Sequence, residues 1–252
     1  MEVVDVAVLC AAALAASILS GIVGMAGGIV LLTIMLLYFE PLIAIPLHGV
    51  IQLVSNSSRT FIQRAHVEWS LVWRYALLLL PMAYIGLFVA RALSPQLGKA
   101  LIGVFVLLAT WRPGWLTLGT HPEEIRPWRR FFVLGGVAGF LQMNIGAVGP
   151  LIAPFFLNLG LSRQGVVGTK AAVQTLGHVI KILLFGAVGF AYPEYGLLLV
   201  SMCALVVLGT WTGSQLLERV NERVFTWLFK SVLTLIAIRL VVWDGWALVH
   251  GG

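Results

Sequence analysis

The sequence has 252 residues, of which 60% are hydrophobic and 10% are charged. With a mean hydropathy of +0.99, this composition excludes a water-soluble globular domain and indicates a membrane protein made of apolar segments of roughly 20 residues. The net charge of +6 does not indicate nucleic-acid binding, because the basic residues fall in short connections between apolar runs and form no basic domain.

Apolar runs between polar or Gly/Pro punctuation predict five segments in each half of the chain. They lie at 4–20, 28–39, 41–65, 69–93 and 96–116, and then at 129–143, 149–160, 162–187, 192–217 and 221–247. The segments 28–39 and 149–160 are too short to span a hydrocarbon core of about 30 Å at about 1.5 Å per residue, so we predict half-helices there. We predict a first membrane repeat at 1–116, a cytoplasmic linker at 117–130 and a second membrane repeat at 131–252.

The two halves resemble each other at a fixed spacing of 122 residues, which superposes "GMAGG" on "GAVGP" without a gap. The shift pairs Gly24 with Gly146, Gly27 with Gly149, Gln52 with Gln174 and Arg59 with Lys181. Self-similarity at one spacing is the mark of an internal repeat. We therefore predict an all-α polytopic membrane protein of two repeats, each with four to five helical segments and a half-helix after a Gly-rich break.

The basic residues of the connections indicate how the repeats are oriented. In an inverted arrangement nine arginines share one side against Arg91 and Lys99 on the other, namely Arg64, Arg74, Arg112, Arg126, Arg129, Arg130, Arg163, Arg219 and Arg223. If each short segment continued its predecessor as one broken span, the count would be six against five. Because Lys and Arg accumulate on the cytoplasmic side, we predict inverted repeats in a bacterial inner membrane with both termini non-cytoplasmic. No Lys or Arg precedes the first apolar run, so no cleaved secretory signal is expected.

The Gly-rich breaks are candidate parts of a binding site. Gly24, Gly27 and Gly28, and in the second half Gly146 and Gly149, allow the backbone to turn and to approach a ligand closely. Pro150 stands where its missing N–H is tolerated, in the first turn of a helix. A helix that begins after such a break points its free amides at the break and favours an anion. Alternatively, the glycines serve only close helix packing.

Polar side chains recur at helical spacing in the segment after each break. His48, Gln52, Asn56 and Arg59 share one helical face, and Lys170, Gln174, His178 and Lys181 repeat the pattern. A cation at the bilayer centre costs about 2.5 to 3.5 kcal/mol on insertion scales, and neither segment contains an acidic residue. A bound anion would supply the missing counter-charge. The alternative is that Arg59 and Lys181 extend towards an interface.

The glycine motifs "GIVGMAGG" and "GAVGP", with "GTK" following the second, resemble those of the TauE/SafE family, also called the 4-toluene sulfonate uptake permease family. The resemblance covers essentially the whole chain and carries over to Gly24, Gly27, Gly28, Gly146, Gly149 and Pro150. It implies movement of sulfur-containing anions such as sulfite, sulfoacetate and other organosulfonates, mostly by export.

These patterns together predict a secondary transporter, not an enzyme, that moves a small sulfur anion by alternating access around a midplane site. A passive anion channel remains an alternative, and so does an intramembrane enzyme with His48 or His178 as base, although no carboxylate or nucleophile motif accompanies them. A purely structural scaffold would leave the paired cations unexplained. No cofactor or metal is expected, because no His, Cys or acidic cluster has ligand spacing. The expected partners are the sulfur anion, the lipid bilayer and a second copy in a homodimer. Faces such as those of Gly86 and Gly103 would pack helices either within one chain or between the two copies.

Overall fold

The computed structural model describes residues 3–23, 27–117, 121, 124–156, 159–216 and 222–250. Over these ranges the chain forms helices and contains no strand, which confirms the all-α prediction. The helices are α1 (Val3–Val23), α2 (Gly27–Met35), α3 (Pro41–Ile62), α4 (Trp69–Ala92), α5 (Pro95–Trp111), α6 (Pro127–Asn144), α7 (Gly149–Ile152), α8 (Arg163–Ala187), α9 (Gly196–Leu216), α10 (Glu222–Arg239) and α11 (Gly245–His250).

Three of the described helices are long and apolar enough to cross a membrane, at Val3–Ser20, Trp69–Ala92 and Tyr192–Gly213, and α5 is a shorter apolar helix. Large apolar side chains on these helices face outwards, as a lipid-facing surface requires; Phe88 is 58% exposed and Val200 is 70% exposed. The central helices α3 and α8 are less apolar because they carry the two polar stripes. The described chain is therefore a multi-pass membrane protein.

Local sequence signals explain where several helices begin. Pro41, Pro95 and Pro127 stand in the first turns of α3, α5 and α6, where a missing N–H leaves no intrahelical bond unmade. Serine side chains cap two starts: the Ser94 Oγ accepts the Leu97 N–H of α5, and a second serine caps α8 in the same way.

The two predicted half-helices are both present, with different lengths. The helix α2 has nine residues, after which hydrogen-bonded turns lead to Pro41. The helix α7 has four residues and continues as a 3₁₀ turn over Ala153–Phe156, so it is shorter than the predicted segment 149–160. Pro154 lies in this 3₁₀ turn and has no N–H to donate to the Pro150 carbonyl, so that α-helical hydrogen bond is missing there.

Two helix pairs, each with one member from either half, pack with their backbones in close contact. In the first pair Gly135 and Gly139 of α6 lie against the carbonyls of Tyr75 and Leu79 of α4, and two glycines of α9 lie in the same way against α1. Since the residue numbers rise together along both members, α4 is parallel to α6 and α1 is parallel to α9. A glycine stripe allows this close approach in a membrane, where packing rather than the hydrophobic effect joins helices.

The helices α3 and α8 cross the centre of the bundle in opposite directions. Gly49, near the start of α3, meets the side chain of Lys181 near the end of α8. Thr60, near the end of α3, has its Oγ1 3.2 Å from the Thr175 Oγ1. The outer helices α5 and α10 are also antiparallel: near the start of α5 the Lys99 Nζ lies 3.8 Å from the Oδ1 of Asp244, five residues beyond α10, and at the end of α5 the Trp111 Nε1 donates to the Thr234 Oγ1 within α10. We call the end of the bundle where α3 begins the Glu40 end, and the end where α3 finishes the Arg64 end.

Candidate functional site

A small cavity of about 30 Å³ lies between α3 and α8. Gln52 and Gln174, which stand about halfway along these helices, both line it. The starts of both short helices reach the same cavity, because Gly28 of α2 and Gly149 of α7 also line it. The cavity therefore lies where elements of the two halves meet.

The structure brings nine of the fourteen predicted site residues to the cavity wall. They are Gly28, His48, Gln52, Asn56, Arg59, Gly149, Pro150, Gln174 and His178. Four predicted residues do not line the cavity, namely Gly27, Gly146, Lys170 and Lys181. The predicted residue Gly24 lies outside the described residues.

Gly27 and Gly146 shape the backbone beside the cavity. Gly27 is buried against α1, where a Cβ would collide with the carbonyl of Ala16. Gly146 has a φ of 81°, in the left-handed region that glycine adopts without steric cost. The glycine at each break is thus required by local geometry, either by close packing or by a left-handed turn.

Arg59 brings a guanidinium to the cavity wall. Its Nη2 donates hydrogen bonds to the Ser20 Oγ at 2.8 Å and to the Ser55 Oγ at 2.7 Å. Its buried Nε has no partner in the structure. Since Ser55 lies one turn back along α3, the side chain points towards the middle of the bundle rather than out at the Arg64 end.

Lys181, which stands 122 residues after Arg59, has a different hydrogen-bond partner. Its Nζ donates a 2.7 Å hydrogen bond to the carbonyl oxygen of Gly146, and the side chain is fully buried. The stem runs past Gly49, where a Cβ would lie 3.0 Å from the Lys181 Cδ. The ammonium therefore binds the second chain break instead of facing the cavity.

Lys170 is a third buried cation near the site. It is 5% exposed, its Nζ has no hydrogen-bond partner, and it is close enough to Arg59 for their charges to repel. None of Arg59, Lys170 and Lys181 pairs with a carboxylate in the described part of the chain; the ion pair of Lys99 with Asp244 lies at the Glu40 end. The centre of the bundle thus holds positive charge that no side chain neutralises.

Two histidines, one from each central helix, face each other at the cavity. The ring centroids of His48 and His178 are 6.0 Å apart in an edge-to-face arrangement. The His48 Nε2 donates to the carbonyl oxygen of Gly28 at 2.8 Å, which ties the start of α2 to α3. The Nδ1 atoms of both rings are buried without partners. In a neutral His48 ring whose Nε2 donates to Gly28, this Nδ1 is an acceptor.

Ser20 and Gln142 are site residues that the sequence analysis missed. They are also 122 residues apart, so extending the repeat alignment four residues before the glycine motifs would have found them. Ser20 accepts the bond from Arg59, whereas the Gln142 Nε2 is buried and unpartnered. Gly177 makes room for this amide, because a Cβ there would lie 2.5 Å from the Gln142 Oε1.

The remaining missed residues carried no polar signal. Tyr75 reaches the cavity from α4, and the others are the apolar side chains Ile29, Ala147, Val148 and Ile152. The apolar residues lie next to the two breaks. The cavity wall therefore combines hydrogen-bonding side chains from α3 and α8 with apolar side chains beside the breaks.

The family model described as sulfite exporter TauE/SafE matches residues 9–240 of the chain. The chain belongs to this family. No curated protein and no solved structure matches it. Membership of the TauE/SafE family identifies the protein as a membrane transporter of the sulfite and sulfonate exporter type, as the glycine motifs predicted. The cavity of this TauE/SafE protein, with the guanidinium of Arg59 and the unpartnered donors in its wall, is suited to an anion.

Proposed function

We propose that the protein exports a small sulfur oxyanion, sulfite or a compact organosulfonate, which binds in the central cavity beside Arg59. The observation that carries this proposal is the positive charge of Arg59 and Lys170, which no carboxylate among the described residues pairs with. Buried donors are normally satisfied, and the Arg59 Nε and the Gln142 Nε2 are not. An oxyanion with several acceptor oxygens would satisfy both, through charge-assisted bonds at the arginine.

The size of the cavity favours a compact anion. A volume of about 30 Å³ corresponds to about two water-sized positions, since one takes roughly 10–15 Å³ by this measure. An inorganic oxyanion such as sulfite would need little more volume than the cavity offers. The carbon chain of an organosulfonate would have to displace an apolar side chain of the wall, such as Ile29 or Ile152. We therefore place sulfite ahead of sulfoacetate and other organosulfonates.

The surroundings of the cavity favour a transporter over a passive channel. Beyond Arg59, the Arg64 end is packed closely: a Cβ on Gly168 would lie 2.8 Å from the Gln63 Cβ, and the Thr169 Oγ1 accepts the backbone N–H of Glu68. A channel needs a continuous path, while a central site that is closely packed towards one end of the bundle fits alternating access.

We further propose that the two halves are inverted repeats. The helix directions support this arrangement, because α3 is antiparallel to its counterpart α8 and α5 is antiparallel to its counterpart α10. The same directions group eight of the nine connection arginines at the Arg64 end, while Arg91 and Lys99 lie at the Glu40 end and Arg219 lies outside the described residues. By the positive-inside rule, the Arg64 end is cytoplasmic.

Reporter fusions test this orientation. Alkaline phosphatase fused to either terminus is expected to be active, because both termini are proposed to lie outside the cytoplasm, and green fluorescent protein at the same positions is expected to stay dark. The control is an insertion between residues 117 and 121, where the two reporters should give the opposite pattern. A fluorescent protein at either terminus would contradict the inverted topology.

Thermal unfolding of the detergent-purified protein tests the substrate. At a sulfite concentration of 100 times its Kd, binding is expected to stabilise the protein by about 2.7 kcal/mol, which raises the unfolding temperature by about 5–10 °C for a chain of this size. Sulfoacetate and taurine should give smaller shifts, and acetate at equal ionic strength is the control. A flat response to every sulfur anion, or a shift equal to that of acetate, would overturn the proposal.

A further inference from the structure

A second and larger cavity opens at the Glu40 end of the bundle. It has a volume of about 260 Å³ and lies between the start of α3, the end of α4 and the start of α5. Leu93 and Ser94 line it near the surface, and Ile45 and Asn144 line it from within the bundle. We call it the vestibule.

A thin layer of side chains separates the vestibule from the central cavity. Ile45, which lines the vestibule, lies against Gly146: a Cβ on Gly146 would be 3.0 Å from the Ile45 Cγ1 and 2.8 Å from the Leu32 Cδ2. The next residue along the chain, Ala147, lines the central cavity. The contact of Ile45 and Leu32 with Gly146 is therefore the barrier between the two cavities.

Lys181 fixes one side of this barrier. Its ammonium binds the carbonyl oxygen of Gly146 at 2.7 Å, and Lys181 lies one turn beyond His178 on the same face of α8. It is close enough to His48 and His178, which line the central cavity, to interact with them electrostatically. The same ammonium thus lies within electrostatic reach of the central cavity and binds the backbone at the barrier.

We propose that the anion passes between the central cavity and the vestibule through the contact of Ile45 with Gly146, which Lys181 holds closed until an anion arrives. The proposal rests on the proposed function. An ammonium forms a stronger hydrogen bond to an anion than to a neutral carbonyl, so an anion beside His178 draws Lys181 away from Gly146. Gly146 can then change its backbone conformation, a freedom that a residue with a side chain lacks at its φ of 81°.

The charges of the vestibule suit a passage rather than a binding site. Arg91 attracts an anion, and Glu40 in the same wall offsets that attraction. A path for ions must bind weakly enough to release them. The vestibule is also wide enough for an anion, since its volume is several times that of the central cavity.

Blocking the vestibule tests the route. In a protein with Cys10→Ala and Cys203→Ala, Leu93→Cys is modified in detergent with a bulky thiol reagent, checked by mass spectrometry and reconstituted. We expect the modification to abolish sulfite efflux from the proteoliposomes while the thermal stabilisation by sulfite is retained. Leu97→Cys is the matched control, because Leu97 lies only four residues further along, in the first turn of α5, is 37% exposed and does not line the vestibule. Full efflux through quantitatively modified Leu93→Cys would overturn the route.

A second pair of variants tests the role of Lys181. Lys181→Met keeps the stem and removes the ammonium, so sulfite binding should persist while sulfite leaks from loaded proteoliposomes without saturating; Lys181→Arg should retain saturable efflux. If Lys181→Met abolishes sulfite binding, Lys181 is a binding residue and the barrier has another cause. If the unmodified protein neither binds nor moves sulfite, the proposed function fails, and the route fails with it.

Discussion

Replacing Arg59 with Gln is expected to weaken sulfite binding by about tenfold to a hundredfold, because a hydrogen bond to a charged group contributes about 1.5–3 kcal/mol and about 1.4 kcal/mol corresponds to a factor of ten. The guanidinium already bonds to Ser20 and Ser55, so its position is fixed before the anion arrives. A glutamine at this position lacks the charge and the length to replace it.

Isothermal titration of the purified variants with sulfite measures this effect. Arg64→Gln makes the same chemical change five residues later, where the guanidinium bonds the Phe61 carbonyl and lies over its ring at the surface; its sulfite affinity should match that of the unaltered protein. Arg59→Lys keeps the charge without the planar fork and should fall between the two. Unchanged affinity in a folded Arg59→Gln protein would remove Arg59 from the site.

Replacing Lys170 with Met is expected to stabilise the anion-free protein. Lys170 is buried, its ammonium has no hydrogen-bond partner, and Arg59 is a close like charge. Replacing buried ion pairs with apolar side chains of similar volume has stabilised proteins by about 1–4 kcal/mol, and a buried charge without a partner lacks even the attraction of such a pair. We therefore expect a gain of this order, with an unfolding temperature higher by roughly 2–4 °C per kcal/mol. The rise in unfolding temperature on adding sulfite should be smaller in this variant, because the variant has one positive charge fewer near the bound anion.

Lys170→Met is thus expected to raise the unfolding temperature without sulfite and to reduce the further rise that sulfite causes. These opposite effects distinguish an anion site from ordinary packing. Differential scanning fluorimetry with and without sulfite measures both on one sample. Lys99→Met is the comparison variant, because its ion pair with Asp244 at the Glu40 end contributes about 0–1 kcal/mol and lies away from the central cavity. A lower unfolding temperature for Lys170→Met without sulfite would mean that the ammonium is satisfied in the empty protein.

The sequence predicted the helices and most of the cavity wall because both depend on short-range spacing. Residues four apart on one helix share a face whatever the tertiary structure, so the stripe from His48 to Arg59 lines the cavity as expected. The α-helix after Gly149 is shorter than the apolar run that predicted it, and Pro154 lies in the 3₁₀ turn that follows.

The rest of the site depends on contacts between distant segments. Lys181 repeats the helical position of Arg59, yet it binds the Gly146 carbonyl outside the cavity, and nothing in the local pattern distinguishes the two. Tyr75 reaches the cavity only because α4 packs against α6 and α8. Its sequence neighbours, Arg74 before it and the apolar run from Ala76 after it, carry no signal of a site. Contacts between distant helices that differ between the two halves cannot be predicted from the spacing of residues in the sequence.

The glycine-packed pairs also make the two halves of the chain depend on each other for folding. Each pair takes one helix from either half, so a single half would expose glycine backbone that only the other half covers. Neither half is therefore a folding unit by itself, and these helices reach their close packing only when both halves are in the membrane together.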